Sequence, residues 1–140
     1  MGRKLLQLGL VAAGLFGVAA CTPPPDYLFV DPHVRPVRVE LRKSFGVLEK
    51  HYERVPIADC SFFEESQPQG SVVGSYNEEI WRVVTAASEG GVLELRYGEV
   101  PRGFVQSTPA AGSAPPLEPG HRYKVQCSGD TIGLGEFVVP

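Results

Sequence analysis

Three cysteines, three histidines and two pairs of neighbouring glutamates are the residues of this chain with most chemistry to offer. His33, His51 and His121 fall in three separate stretches, so any shared metal or proton-transfer site requires the fold to gather them. Glu64-Glu65 and Glu78-Glu79 are adjacent pairs. On a strand, adjacent side chains point to opposite faces, whereas paired acid–base work needs both carboxyls on one side of a cleft. No serine sits in a Gly-x-Ser-x-Gly elbow. Gly133-Leu134-Gly135 lacks the third glycine, the basic residue and the following helix of a phosphate loop. Cys60 and Cys127 have no His or second Cys at metal-ligand spacing. These patterns point to no catalytic residue, no metal and no cofactor.

Cys21 stands in a different context. It follows Arg3 and Lys4, an apolar stretch from Leu5 to Phe16, and the small residues Gly17, Ala19 and Ala20. Positive, apolar, small is the order of a secretory signal peptide. A transmembrane helix needs about 20 predominantly apolar residues. The run here is shorter and interrupted by Gln7, Gly9, Gly14 and Gly17. Val18-Ala19-Ala20-Cys21 resembles a bacterial lipobox. The resemblance implies cleavage between Ala20 and Cys21, and lipidation of Cys21 with a diacylglyceryl group, often joined by a third acyl chain. The alternative is ordinary cleavage that leaves a free cysteine. Burying acyl chains contributes about 0.8 kcal/mol per CH₂, so two or more chains hold a protein stably on a membrane. Thr22 rather than Asp follows the cysteine. By similarity to Gram-negative lipoproteins this implies a periplasm-facing outer-membrane location.

Removing residues 1–20 leaves 120, enough for one small domain. The chain has 13 Lys and Arg against 16 Asp and Glu, and the loss of Arg3 and Lys4 takes the net charge from −3 to −5. No basic run with interleaved aromatics marks a nucleic-acid partner. Gly and Pro together make 29 of 140 residues, which favours short strands and turns over long helices. With Cys21 lipidated, Cys60 and Cys127 remain as an even pair in an oxidising compartment, and a disulfide between them is expected. The alternative is two buried thiols that never meet.

The elements that must position these residues follow. Residues 21–36 read as the lipidated cysteine and a Pro-rich tether, in which Tyr27 to Val30 either dock on the domain or lie at the lipid interface. The domain proper is placed at 37–140. Val37, Val39 and Leu41 alternate with Arg38, Glu40 and Arg42, as in a half-buried strand. Leu41, Phe45, Leu48 and Tyr52 recur at helical spacing, which leaves a short helix or an irregular hairpin before Pro56. Ala58, Cys60 and Phe62 alternate inward. Glu64 to Asn77 is a polar connection, with Val72-Val73 a possible short edge strand. Ile80 to Ala87, carrying Trp81, is a strand, and Val92 to Tyr97 is its expected hairpin partner across Glu89-Gly90-Gly91. A lone Trp in such a run belongs in the core. Phe104 to Ser107 is a short strand, and Thr108 to Pro119 a long surface loop. Tyr123 to Cys127 and Glu136 to Val139 complete an all-β, small antiparallel β-sandwich.

Leu117-Glu118-Pro119-Gly120-His121-Arg122-Tyr123 resembles the loop-to-strand junction of fibronectin type III domains. The resemblance implies a tyrosine corner, in which the Tyr123 hydroxyl pins the preceding loop. The spacing Cys60…Trp81…Cys127 is similar to that of immunoglobulin domains. Tyr123 lies four residues before the second cysteine rather than two, so the disulfide need not join the usual strands. Trp81, Tyr97-Gly98, Val100-Pro101-Arg102-Gly103-Phe104 and Leu117 to Tyr123 also resemble a set of small bacterial lipoproteins, which carry no known activity.

Two functions are therefore expected. The first is a non-enzymatic, lipid-anchored structural or interaction module of the cell envelope. Its contact patch is expected at Arg102, Phe104, Pro115 and Pro116, gathered at one end of the sandwich. The membrane through Cys21 and an envelope protein are its partners. The second is a periplasmic enzyme or small-ligand binder, which requires a pocket gathering His51, His121 or the glutamate pairs.

Overall fold

The computed structural model describes residues 27–45, 51–66, 76–86 and 90–140. Cys21, the signal segment and Val72-Val73 lie outside the described residues. Within them the chain forms nine strands and no helix: β1 (Tyr27–Asp31), β2 (Arg38–Phe45), β3 (His51–Val55), β4 (Ile57–Ser66), β5 (Tyr76–Thr85), β6 (Leu95–Arg96), β7 (Phe104–Thr108), β8 (Arg122–Gly129) and β9 (Ile132–Val138). They make two packed antiparallel sheets, a small β-sandwich. In the four-stranded sheet β2 pairs with β1 on one side, and with β3 and β6 end to end on the other. The five-stranded sheet runs β7-β5-β4-β8-β9.

Within the expected tether, Tyr27 to Val30 dock on the domain, the first of the two alternatives, and do so as a strand. Leu28 and Val30 sit opposite Leu41 and Val39, so β1 completes the first sheet and the sandwich begins before residue 37. The apolar run Tyr27 to Val30 is long enough to pair, and only Pro32 and Pro36 after it forbid continuation. Of the stretch where a helix or a hairpin was expected, the described residues 41–45 and 51–55 are paired strands, as in the hairpin alternative. Pairing with β2 satisfies the backbone of β3, and helical periodicity in so short a segment also fits a strand.

Pro56 divides what is otherwise one extended stretch. Val55 still pairs with Leu41 of the first sheet, while Ile57 pairs with Gly129 of the second. Proline has no N–H for a ladder, so it suits the point where the chain changes sheet. Ile57 and Val92 exchange backbone hydrogen bonds of 2.8 and 3.0 Å there. Gly91 and Gly129 make the corner possible, since a Cβ on either would fall on the carbonyl oxygen of Ile57 or Pro56. One register shift between Ile57 and Asp59 displaces Ala58 from the inward row. Ile57, Cys60 and Phe62 thus all point inward despite the odd spacing between the first two.

The expected hairpin of Ile80 to Ala87 with Val92 to Tyr97 does not form. β5 pairs with β4 and β7, whereas β6 crosses to the other sheet and pairs with β2. Leu95 and Tyr97 reach the core from there, and Leu93 points to solvent. β4 and β5 also run further than expected, to Ser66 and from Tyr76.

The core lies between the sheets. Leu28, Val39, Leu41 and Leu95 come from one side; Phe62, Trp81, Val83, Tyr123, Val125 and Phe137 come from the other. Each such burial contributes about 1.5–3 kcal/mol relative to exposure. Phe62 is the centre of an aromatic cluster, with ring centroids 4.9 Å from Tyr97, 5.4 Å from Trp81 and 6.4 Å from Phe137. The Tyr123 hydroxyl accepts from the Glu118 N–H at 2.9 Å, forming the tyrosine corner.

Candidate functional site

Cys60 and Cys127 are fully buried and occupy directly opposed positions on β4 and β8, with Cα atoms 4.1 Å apart and sulfurs at disulfide distance. They lie within one sheet, unlike the inter-sheet bond of an immunoglobulin domain.

The histidines stay apart in their partners. The His33 N–H donates to Asp31 Oδ1 in the turn after β1. His51 lies 3.3 Å from Glu53 on the outer strand β3. His121 approaches Glu64 with Nδ1 at 2.6 Å and Glu118 with Nε2 at 3.2 Å. The hydrogen bond to Glu64, reinforced by the charges of Glu118 and Glu64, raises its pKa above the ordinary 6.5. Those carboxylates sit on opposite ring nitrogens, so the cluster does not converge on one point. Among the described residues no group of three His, Cys, Asp or Glu is arranged to hold a metal ion. Glu65 turns away from Glu64 toward Arg122, at 3.6 Å, as strand alternation requires. Glu78 is exposed, and Glu79 accepts from the Thr108 hydroxyl at 2.5 Å.

The expected contact patch divides. Arg102, Pro115 and Pro116 are exposed, but Phe104 is 7% exposed and belongs to the core. As the first residue of β7 it takes the inward phase, so its bulk serves packing. Arg102 precedes β7 and the Pro-rich segment follows it, returning to pack Ala114 beside Gly98. The loop is held by Tyr97, whose hydroxyl donates to the Pro115 carbonyl at 2.6 Å, and a shallow groove of about 260 Å³ lies between it and Arg35 to Val37.

A larger concavity lies elsewhere, on the outer face of the five-stranded sheet. Tyr123, Val125 and Cys127 of β8 point inward, so Lys124 and Gln126 point out. Gln126 pairs with Leu134, Lys124 with Glu136, and Phe63 with Lys124 across the neighbouring strand. These five side chains line a groove of about 520 Å³. A polar depression of about 210 Å³ adjoins it, sharing Phe63 and Gln126 and adding Asp59, Ser61, Glu79 and Arg82. Arg82 closes a two-point bond on Asp59, at 3.1 and 2.6 Å. Leu134 is 70% exposed and Ile132 62%, with Val138 further along the same face.

The apolar character of Ile132 and Leu134 would suit an inward phase, but alternation with the buried Phe137 turns them outward. Gly133 and Gly135 take the inward phase instead, because a Cβ at Gly133 would collide with Leu41 and one at Gly135 would press on Val30. The glycines admit β1 to close packing, and the large side chains are left outside. The signal was present as Ile-Gly-Leu-Gly, an alternation of large and absent side chains.

The outer face of the four-stranded sheet has a different character. Glu40 is 4% exposed between Arg42, at 2.7 Å, and Arg54, at 3.5 Å. The Arg42 guanidinium lies over Phe29 at 4.7 Å and donates to the Tyr27 hydroxyl at 2.8 Å. Its pKa is raised, first by the bond to Glu40.

No family model, curated protein or solved structure matches the chain.

Proposed function

We propose that the protein is a lipid-anchored module of the cell envelope, held by acyl chains on Cys21, that offers the outer face of its five-stranded sheet to another envelope protein. The observation that carries the reading is the exposure of Leu134 and Ile132 beside the groove floored by Phe63. Adjacent exposed apolar side chains rimmed by Lys124, Glu136 and Arg82 have the make-up of a protein contact, with an apolar centre and a polar rim. A Cys60–Cys127 disulfide suits the oxidising compartment that a lipobox implies. The groove volume also lies within the range that small-ligand sites occupy, which supports ligand binding there as the second reading.

Crosslinking and pulldown of the native lipidated protein from envelope membranes tests the first reading. A photoreactive residue at position 134 is expected to capture a defined protein. The same residue at position 53, on the opposite sheet, captures none. Leu134→Arg is expected to abolish co-purification without altering the fold. Equal labelling from both positions, or co-purification unaffected by Leu134→Arg, refutes this face as the contact. Cys21→Ser leaves an unlipidated precursor, and unchanged membrane partitioning of that variant refutes the anchor.

A further inference from the structure

The outer edge of β9 is an unpaired strand that a second copy of the chain fits. We infer that two copies join β9 to β9 in antiparallel order, about an axis at Gly135, and so fuse their five-stranded sheets. The inference depends neither on the lipid anchor nor on contact with another envelope protein.

β9 closes one side of its sheet, and among the described residues β8 is its only ladder partner. The phase of its backbone follows from the two ends of that ladder. The Gly129 N–H donates to the Thr131 carbonyl at 2.9 Å, and the Val139 N–H to the His121 carbonyl at 3.1 Å. Antiparallel pairs alternate between bonded and non-bonded, so Gly133, Gly135 and Phe137 also bond to β8. The N–H and C=O groups of Ile132, Leu134, Glu136 and Val138 therefore point the other way, along the open edge. β1 does not take them up, since Leu28 and Val30 press on the inward side of Gly133 and Gly135.

Open edges are commonly blunted by lysine, proline or a bulge. β7, at the other edge of this sheet, has a register shift against β5 and is followed at once by Pro109. β9 has no such guard. Its seven residues, Ile-Gly-Leu-Gly-Glu-Phe-Val, hold no proline and no lysine, and its register with β8 is unbroken. The exposed side chains of Ile132, Leu134 and Val138 stand beside the unpaired backbone groups.

The match of β9 to itself favours a second copy as the occupant. With the axis at Gly135, Ile132 stands opposite Val138 of the second copy, and Leu134 opposite its Glu136. All four outward residues then find partners, and each pair exchanges two backbone bonds. Sliding by two residues one way sets Glu136 against Glu136, with like charges directly opposed. Sliding the other way leaves Val138 past the end of the second strand. Each Glu136 keeps Lys124 and Arg122 of its own β8 at 3.9 Å. On the inward side Gly135 meets Gly135 and Gly133 meets Phe137, so no two large side chains collide in the closely spaced pairs. One patch serves both copies, so the contact closes as a dimer and does not grow into a fibre. Ile132 and Leu134 stay on the outer face, and the pairing sets two grooves side by side. A single strand edge is a small contact beside the roughly 1,600 Å² of a standard interface, so the pair is reversible.

The test therefore traps the pair in whole cells. Two differently tagged full-length copies, one Ile132→Cys and the other Val138→Cys, are expressed together and treated with a short bis-maleimide. The mixed pair is expected to crosslink several-fold more than either variant expressed alone, because antiparallel order holds like positions at opposite ends of the strand. Leu134→Pro in both copies removes an N–H that β8 does not use. It is expected to abolish the crosslink while Trp81 fluorescence shows the fold retained. Equal crosslinking in mixed and single variants overturns the inference, as does a dimer that survives Leu134→Pro. No dimer in the mixed pair overturns it too. Crosslinks to other proteins alone give the edge to a partner's strand, overturning self-pairing while leaving the contact at Leu134 standing. Should Leu134→Pro unfold the chain, the comparison of the cysteine variants decides by itself.

Discussion

The indole N–H of Trp81 donates to Oε1 of Gln106 at 2.9 Å. Gln106 in turn donates through Nε2 to the carbonyls of Pro109 and Gly112, both at 2.9 Å. One amide thus satisfies the only polar side-chain atom of a fully buried ring and ties down the start of the Pro-rich loop. Buried polar groups left without partners are costly, so this side chain couples core and loop.

Gln106→Leu is therefore expected to destabilise the domain by about 1–3 kcal/mol, the cost of an unsatisfied buried indole N–H. Chemical denaturation measures it. A variant as stable as the parent would mean that Trp81 finds another acceptor.

The corner at Pro56-Ile57 predicts a second sensitivity. Gly129→Ala and Gly91→Ala each put a methyl group onto a backbone carbonyl, where no side chain can move aside. Each should lower stability by about 1–3 kcal/mol, as overpacking does. Gly90→Ala, with nothing near its Cβ position, is the control and should change little. Thermal unfolding of the three variants decides it.

Cys60 and Cys127 are 67 residues apart in sequence. A covalent link closing such a loop stabilises by about 4 kcal/mol in the chain-entropy model. Unfolding of the oxidised protein with and without reductant should differ by roughly that amount. Thiol labelling of the unreduced, unfolded chain should find neither cysteine. Two labelled thiols would remove the bond from this account.

His121 supplies the pH dependence. Its pKa in the fold is raised above 6.5, first by the Glu64 hydrogen bond. A raised folded value means that the contribution is fully present below the unfolded value and is lost as pH rises through the folded one. The site is exposed, so the effect on stability is small. Nuclear magnetic resonance titration should place His121 above its ordinary range, and Glu64→Gln should bring it back toward 6.5. An unchanged titration in that variant would assign the shift elsewhere.

Much of the fold was legible because strands announce themselves by local alternation. Val37 to Leu41 and Tyr123 to Cys127 each turned their apolar residues inward as their phase required. The tyrosine corner was equally local, six residues bent back on themselves. Partners of strands were less legible. Val92 to Tyr97 looked like the second arm of a hairpin, yet hydrogen bonds from β2 claimed Leu95 and Arg96. Which strand completes a ladder depends on chain that is distant in sequence.

The candidate site shows the same division. Sequence alone determined the alternation of the strands and the pairing of Cys60 with Cys127, because each depends on nearby residues or on simple counting. Tertiary structure decided which face of β9 is outer. Leu28, Val30 and Leu41 press so closely on Gly133 and Gly135 that only glycine fits, and Ile132 and Leu134 are turned to solvent. It likewise drew Phe104 into the core and set Tyr27 beside Arg42. Surfaces arise where separate strands meet, and no single stretch of chain contains that meeting.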